Sequence, residues 1–404
     1  MGKYYTKPWY DRYSGVTQNK KVIIIGGGIS GAATAYSLAR RGYQVTLYEQ
    51  NSALALEASG NYQAILYGHF AGNYNSSLEL SLSGYRYSYN LITSILKDNY
   101  QESGIIELID NEYKLRQILR NNFADDFCYP VDHEQIENLA NIKVNSKCGI
   151  YYPSGIWLNP SAFINELVCH PNIKIVLNSA VNNIEFTNKW WIKTTSCIID
   201  STATLVLCNS HNLNNFTYCQ NIPLLKTRGQ TTIVKGNLGL KTIICGKGYI
   251  TPNRGDSYTI GATFKNDISD MGVNELEHRE NIAQISGYFH NLDINLNELD
   301  GQANIRAHTI DHLPLVGPIA DYEKFKQTYA LLAKDANYKL TAPCPYLPGL
   351  YVNAGFGSKG ILFAPICAEI IANYIDGTQF AVSESLRQAL HPHRFWIRDI
   401  IKNK

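Results

Sequence analysis

The chain has 404 residues, room for two or three domains at the usual roughly 100–200 residues each. Apolar residues make up 45% and charged residues 17%, a globular composition, and the formal charge of +2 gives no global field that would mark a nucleic-acid or membrane protein. The sequence has no apolar run near the roughly 20 residues of a bilayer span, no secretion-signal core before Lys20, and no C-x-x-C pair among its nine cysteines. Reduced thiols, a cytoplasmic location, no membrane partner and no metal are therefore expected. The charge is uneven: residues 1–21 and 387–404 each carry a net +4, leaving −6 on the body.

Residues 1–20 are polar and aromatic without periodicity, which predicts a loose leader. Val22-Ile23-Ile24-Ile25 is a β-branched run, the signature of a strand buried on both faces. Gly26-Gly27-Gly28-Ile29-Ser30-Gly31 follows, then a helix over 32–41 rich in alanine, then a second strand from Gln44 to Glu49 with Gln50 after it. A lone G-x-G-x-x-G says little. Here strand, helix and an acid ending the next strand are all present, as a dinucleotide site requires. Gly26 permits the tight turn, Gly28 lets backbone approach a pyrophosphate, and Gly31 lets the helix pack close. Glu49 is placed for a ribose diol and disfavours a 2′-phosphate.

Farther on, a loop carries Glu57-Ala58-Ser59-Gly60-Asn61, and a helix is predicted over 78–99. Strands are predicted at 104–108, on both sides of Asn178-Ser179, and at Thr204–Cys208, which leads into Asn209. From 223 to 306 strands dominate (231–234, 249–251, 258–262), broken by a helix over 273–289. A last strand, Leu350–Ala354, runs into Gly355-Phe356-Gly357-Ser358-Lys359-Gly360, a helix over 361–375, and Gly377. This is α/β, α+β taken whole. A Rossmann-type cofactor domain (21–82, 145–222 and 340–404) is interrupted by a mostly antiparallel substrate domain (83–144 and 223–339). A second strand–glycine–helix junction suits FAD, because a helix opening there stabilises negative charge on a reduced flavin.

Longer motifs carry a resemblance. Lys21 to Gly31 with Glu49 resembles the D-amino-acid-oxidase-type FAD superfamily. Leu56–Gln63, Gly149–Pro160, Gly229-Gln230, Gly248–Pro252, Arg306 with Asp311–Gly317, Gly357–Gly360 with Ala364–Ile370, and Pro392–Arg398 resemble the oxidoreductase half of the MnmC-type bifunctional tRNA wobble-uridine enzymes. The resemblance implies FAD-dependent removal of the carboxymethyl group from 5-carboxymethylaminomethyl-(2-thio)uridine in tRNA, leaving 5-aminomethyl-uridine and glyoxylate. With 20 residues ahead of the first strand, the chain is expected to be the oxidoreductase alone. Methylation of the amine would then need a separate methyltransferase.

The same resemblance implies flavin contacts at Gly26, Gly28, Ile29, Ser30, Gly31, Glu49 and Gln50. It adds Ser59, Gly60, Asn61, Gln63 and Asn209, then Gly357, Ser358, Gly360 and Ile361. It puts Arg306 on the substrate carboxylate, with Lys359 and Lys402 as further catalytic candidates; Asp311 and His312 either orient the arginine or cap a turn, and His312 as a general base is a further alternative. A structural Arg306 paired with a core carboxylate is the alternative. Arg394, Arg398, Lys402 and Lys404, interleaved with Phe395 and Trp396, are expected to contact tRNA phosphates and stack a base. The chain departs from the family at Tyr62 (usually Arg), at Gly68 (usually Pro) and at Cys208-Asn209-Ser210. Two other readings stand beside this one: a glycine- or sarcosine-type amine oxidase, and a catalytically silent protein that binds flavin and tRNA.

Overall fold

The computed structural model describes residues 7–10, 20–68, 70, 72–109, 111–266, 270, 272–289, 292, 294 and 298–402. The chain divides into two compact units: 1–56, 167–225 and 307–404 form one, and 57–166 and 226–306 the other.

The first unit is built on a six-stranded sheet. Lys21–Ile25 lies at its centre, paired in parallel with Gln44–Tyr48 on one side and Thr204–Leu207 on the other, with Val22 opposite both Val45 and Thr204. Ile173–Val176 and Tyr346–Ala354 extend the parallel order outward, and Leu315–Ala320 closes one edge antiparallel. The central strands have no solvent face: Val22, Ile24, Leu205 and Leu207 are all buried. That is why they read as unbroken β-branched and leucine runs rather than alternating ones. Helices Ile29–Ala39 and Gly360–Asp376 pack together against this sheet. The second ends at Gly377, in the left-handed conformation that glycine adopts at low cost. A three-stranded antiparallel meander (Val181–Phe186, Trp190–Thr194, Ile199–Thr202) is attached through Trp190, whose Nε1 donates to Pro348 O at 2.7 Å.

The expected loose leader is corrected at Pro8–Tyr10, a short 3-10 turn. Trp9 is buried against Tyr329 with centroids 5.4 Å apart, and Tyr346 donates its hydroxyl to Trp9 O. The indole is large and apolar enough to outweigh the polar residues around it in the sequence. Residues 1–6 and 11–19 lie outside the described residues.

The second unit carries an eight-stranded sheet, in the order Leu299–His308, Leu225–Lys235, Ser257–Gly261, Tyr249–Ile250, Ile243–Cys245, Ile105–Leu108, Cys148–Tyr152, Tyr129–Asp132. From Leu225–Lys235 onward its pairings are antiparallel apart from Ile243–Cys245 on Ile105–Leu108. Helix Glu275–Ser286, N-capped by Asn274, covers one face. A three-stranded sheet joins Ala64–Leu66 and Tyr100–Glu102 through Ile156–Leu158.

These pairings redraw the expected domain limits. Residues 57–82 and 145–166 go with the antiparallel unit, because Ala64–Leu66, Cys148–Tyr152 and Ile156–Leu158 find their partners there. Residues 307–339 go with the nucleotide-type unit, because Leu315–Ala320 pairs with Tyr346–Ala354.

Candidate active site

In the first unit the glycine loop is set by steric necessity. Gly26 has φ +109°, and an added Cβ would meet Cys208 O at 2.6 Å and Asn209 Cα at 3.1 Å. A Cβ on Gly31 would stand 1.8 Å from Gly26 O. Any side chain at either place would force the loop open. Gly28 is the N-cap of Ile29–Ala39 in extended conformation, and no side chain caps that helix. Its first-turn backbone, at Ile29 and Ser30, is thus set up for an anion rather than for a capping residue.

Glu49, 7% exposed, braces this loop. One carboxylate oxygen accepts Gly27 N–H at 2.7 Å, and the other accepts both the backbone and side-chain N–H of Asn51 at 2.8 Å. Three of its roughly four acceptor positions are filled, which leaves capacity for one ribose hydroxyl. Gln50 beside it is exposed. Asn209, brought against Gly26, buries an Oδ1 that has no partner.

The second junction converges on the first. A Cβ on Gly360 would lie 3.0 Å from Ile29 Cγ2, and Ser30 Oγ donates to Asn353 O at 2.5 Å. Two uncapped helix N-termini, led by Gly28 and by Lys359, therefore open side by side. Gly357 takes φ +56° with its N–H on Ala307 O at 2.8 Å; Ser358 is exposed and Ile361 buried. Lys359 is partly buried, its ammonium 5.5 Å from the Phe363 ring, and burial lowers its pKa. Sequence reading missed Asn353, fully buried, which donates Nδ2 to Thr34 Oγ1 at 3.0 Å and leaves its own Oδ1 unpartnered. The close-packed cradle and the two orphaned amide oxygens fit a dinucleotide, which offers donors for both.

Ser59, Gly60, Asn61 and Gln63 belong to the second unit. Gly60 O accepts from Gln302 Nε2 at 2.7 Å, and Ser59 and Asn61 are half-buried. Gln63 corrects its assignment as a flavin contact. It is fully buried, donates Nε2 to Pro252 O at 2.9 Å, and accepts the hydroxyls of Thr251 and Thr259 at 2.9 and 3.0 Å. Its amide is spent within the sheet. Tyr62, where the family carries arginine, has the Arg254 guanidinium 4.5 Å from its ring and donates its hydroxyl to Arg254 O at 2.6 Å.

Arg306 is buried in the second unit, 8% exposed, and its Nη1 has no hydrogen-bond partner among the described residues. Among the described residues no carboxylate pairs with it. Burial lowers its pKa, and the neighbouring Tyr249 opposes that; desolvation in turn pushes the Tyr249 phenol up to about 12. The guanidinium lies 5.0 Å from the Phe264 ring and directly over Gly229, where a Cβ would meet Nη1 at 2.5 Å. Gly229 and Tyr249 stand in the motifs quoted above without an assigned role. A glycine inside a strand was the signal for such a close approach.

Asp311 is engaged by other arginines. It takes Arg394 Nε and Nη2 at 3.0 and 2.9 Å and Arg398 Nη2 at 3.1 Å. Burial works to raise the Asp311 carboxyl, but the Arg394 hydrogen bonds and charge outweigh it and hold the group at about 2. His312, at φ +58°, stacks on His308 at 5.4 Å. The expected RNA-binding tail is corrected as well. In helix Arg394–Ile401, Phe395 and Trp396 are each 2% exposed, Trp396 donates Nε1 to Asn221 O at 2.8 Å, and Arg394 is buried on Asp311. Alternating cations and aromatics here make a core-facing helix: Trp396 packs on Tyr322 and Phe325, and the inner cation finds a distant carboxylate. Arg398 is half-exposed, Lys402 ends the helix on the surface, and Lys404 lies outside the described residues.

The fold and the glycine cradle define an FAD-dependent oxidoreductase, and the chain belongs to that family: its FAD dependent oxidoreductase (DAO) model matches residues 21–374. FAD is the cofactor. Among curated relatives, the chain is similar to the "tRNA 5-methylaminomethyl-2-thiouridine biosynthesis bifunctional protein MnmC" of Chromobacterium violaceum (35% identical, 98% of this chain, 62% of the relative). The protein of the same name from Pseudomonas syringae pv. syringae is 33% identical over the same shares. The chain thus spans about three-fifths of the length of these relatives. In solved structures it is similar in fold to glycine oxidase from Geobacillus kaustophilus (TM-score 0.73, 17% identity, 92% of this chain and 98% of that one). L-proline dehydrogenase from P. horikoshii is similar to the same degree (TM-score 0.73, 17% identity, 93% and 97%). No helix among the described residues is long and apolar enough to cross a membrane.

Proposed function

We propose that the protein oxidises the aminoacetate arm of 5-carboxymethylaminomethyl-(2-thio)uridine at the tRNA wobble position, releasing glyoxylate and leaving 5-aminomethyl-uridine. The observation that carries this is Arg306: a buried cation whose Nη1 has no partner, and which has no carboxylate of its own, among the described residues. A buried guanidinium left unmatched is costly unless an anionic ligand completes it. Its planar fork suits a carboxylate, which is the one anionic handle on the arm. The names of the relatives support tRNA as the bearer of that arm.

FAD, when bound, supplies the two-electron oxidant for the C–H bond beside the amine. The residues do the rest. Gly26, Gly28 and Gly31 keep side chains away from the phosphates, and Glu49 offers its remaining lone pair to the ribose. Gly360 opens the second helix end, where the dipole favours negative charge. Arg306 holds the carboxylate so that the adjacent carbon is presented in one orientation, which supplies much of the rate. Water then hydrolyses the substrate imine to amine and glyoxylate.

A second reading, oxidation of small N-substituted glycines, is favoured by the burial of Arg394, Phe395 and Trp396, which takes those three residues away from RNA. The test is nucleoside mass spectrometry of tRNA from cells lacking the late wobble modification, incubated with the FAD-loaded protein. Conversion of the carboxymethylaminomethyl nucleoside to the aminomethyl one is expected. Rapid oxidation of sarcosine with no change in tRNA establishes the second reading instead.

A further inference from the structure

We propose that Phe264 is the platform for the nucleobase that bears the aminoacetate arm, so that Arg306 reads the carboxylate and Phe264 the ring beyond it. The inference rests on the function proposed above and adds a residue that separates a nucleoside substrate from a free amino acid. Phe264 is 62% exposed. A lone exposed aromatic means little, but this one is held in place. Thr263 N–H donates to Gln230 O at 3.1 Å before it, and Lys265 and Arg228 exchange backbone hydrogen bonds of 2.8 Å after it. The neighbouring Thr263 side chain turns inward to Glu277, leaving Phe264 on the opposite side of the strand, with Arg306. The backbone that carries the exposed ring is thus held on both sides, and the ring's neighbour is the buried cation whose Nη1 lacks a partner among the described residues.

Reach supports the assignment. With single bonds of about 1.5 Å, the extended arm keeps the pyrimidine about 5 Å from the carboxylate carbon. A carboxylate on the guanidinium at N–O distances of about 2.8 Å puts that base about 9 Å from the Arg306 carbon. The Phe264 centroid is 5.0 Å from that carbon, so a base at the end of the arm lies between about 4 and about 14 Å from the ring centre, and the near end of that span is stacking contact. Aromatic faces accept any base by stacking, and uracil offers such a face.

The experiment compares two ligands, the free nucleoside 5-carboxymethylaminomethyluridine and N-methylglycine. Both carry the carboxylate and the amine, and only one carries the base. Binding to FAD-loaded wild-type, Phe264→Ala and Phe264→Trp proteins is measured by titration calorimetry, alongside KM and kcat for whichever ligand is oxidised. Phe264→Ala is expected to weaken nucleoside binding at least about fivefold more than N-methylglycine binding, with the loss in KM and Phe264→Trp restoring it. Equal losses for both ligands, the result if Phe264 only seats Arg306, overturn the proposal, as does no loss for either. If the wild-type protein neither binds nor oxidises the nucleoside yet converts it within tRNA, this inference fails and the function proposed above stands; if tRNA is also left unchanged, both fail.

Discussion

Gly229→Ala tests how Arg306 is seated. The new Cβ would stand 2.5 Å from Arg306 Nη1, 2.6 Å from its Cζ and 2.8 Å from Thr263 O. Non-bonded heavy atoms settle at about 3.5–4.0 Å, so something must move by about 1 Å. Thr263 is pinned through its own N–H to Gln230 O and through its hydroxyl to Glu277, so the guanidinium is the part that yields. A displacement of that size at a substrate-positioning group costs on the order of 100-fold in turnover. Overpacking of the strand adds about 1–3 kcal/mol of instability. Steady-state kinetics on the modified nucleoside should show kcat/KM down by about two orders of magnitude. Flavin content should stay at the wild-type level, because Gly229 lies outside the nucleotide unit. A folded, yellow Gly229→Ala protein with unchanged kcat/KM would refute the idea that this glycine makes room for a working guanidinium.

Three further outcomes follow from the same geometry. Arg306→Met should abolish carboxylate binding while leaving thermal stability equal or higher, because replacing an unpaired buried cation with a well-packed apolar chain is neutral or stabilising by about 1–4 kcal/mol; a large drop in melting temperature would mark Arg306 as a structural half of an ion pair. Gly31→Ala, whose Cβ would overlap Gly26 O at 1.8 Å, should purify folded by circular dichroism but without flavin absorbance, and full yellow colour would contradict the cradle. His391 and His393 are both buried and neutral, pushed down by desolvation first and then by nearby cationic or imidazole charge, His391 to about 3. The unfolded chain takes up these protons first as pH falls below about 6.5, so stability should drop by about 2 kcal/mol per histidine between pH 6.5 and 5. Urea melts across that range that show no such slope, with His391→Gln as control, would disprove it.

Sequence revealed what is local and hid what depends on distant partners. The strand–glycine–helix unit at 21–49 was legible because a strand buried on both faces must be apolar throughout, and because Gly26 is required by its own φ of +109° and Gly31 by its contact with Gly26 O. The second junction was legible for the same reason. Domain limits were not, since the strands of the two units alternate along the chain and only pairing shows which sheet claims Ala64–Leu66 or Leu315–Ala320. The basic tail misled for a related reason. Composition gives the charge of Arg394 but not the carboxylate it meets, and Asp311 lies 83 residues earlier.

Arg306 is the converse of Arg394. Both are buried arginines, and sequence alone ranks neither above the other as a ligand for an anion. Arg394 has two bonds to Asp311 and three backbone carbonyls around it, so its charge is used up within the fold. Arg306 has an aromatic ring, a glycine that admits it, and an Nη1 with nothing to donate to. The fold tolerates the cost of an unmatched buried donor, about 1–3 kcal/mol and more for a charged one. Such a cost persists where a ligand repays it, and that difference in satisfaction, rather than residue type or burial, is what separates the arginine that binds from the arginine that builds.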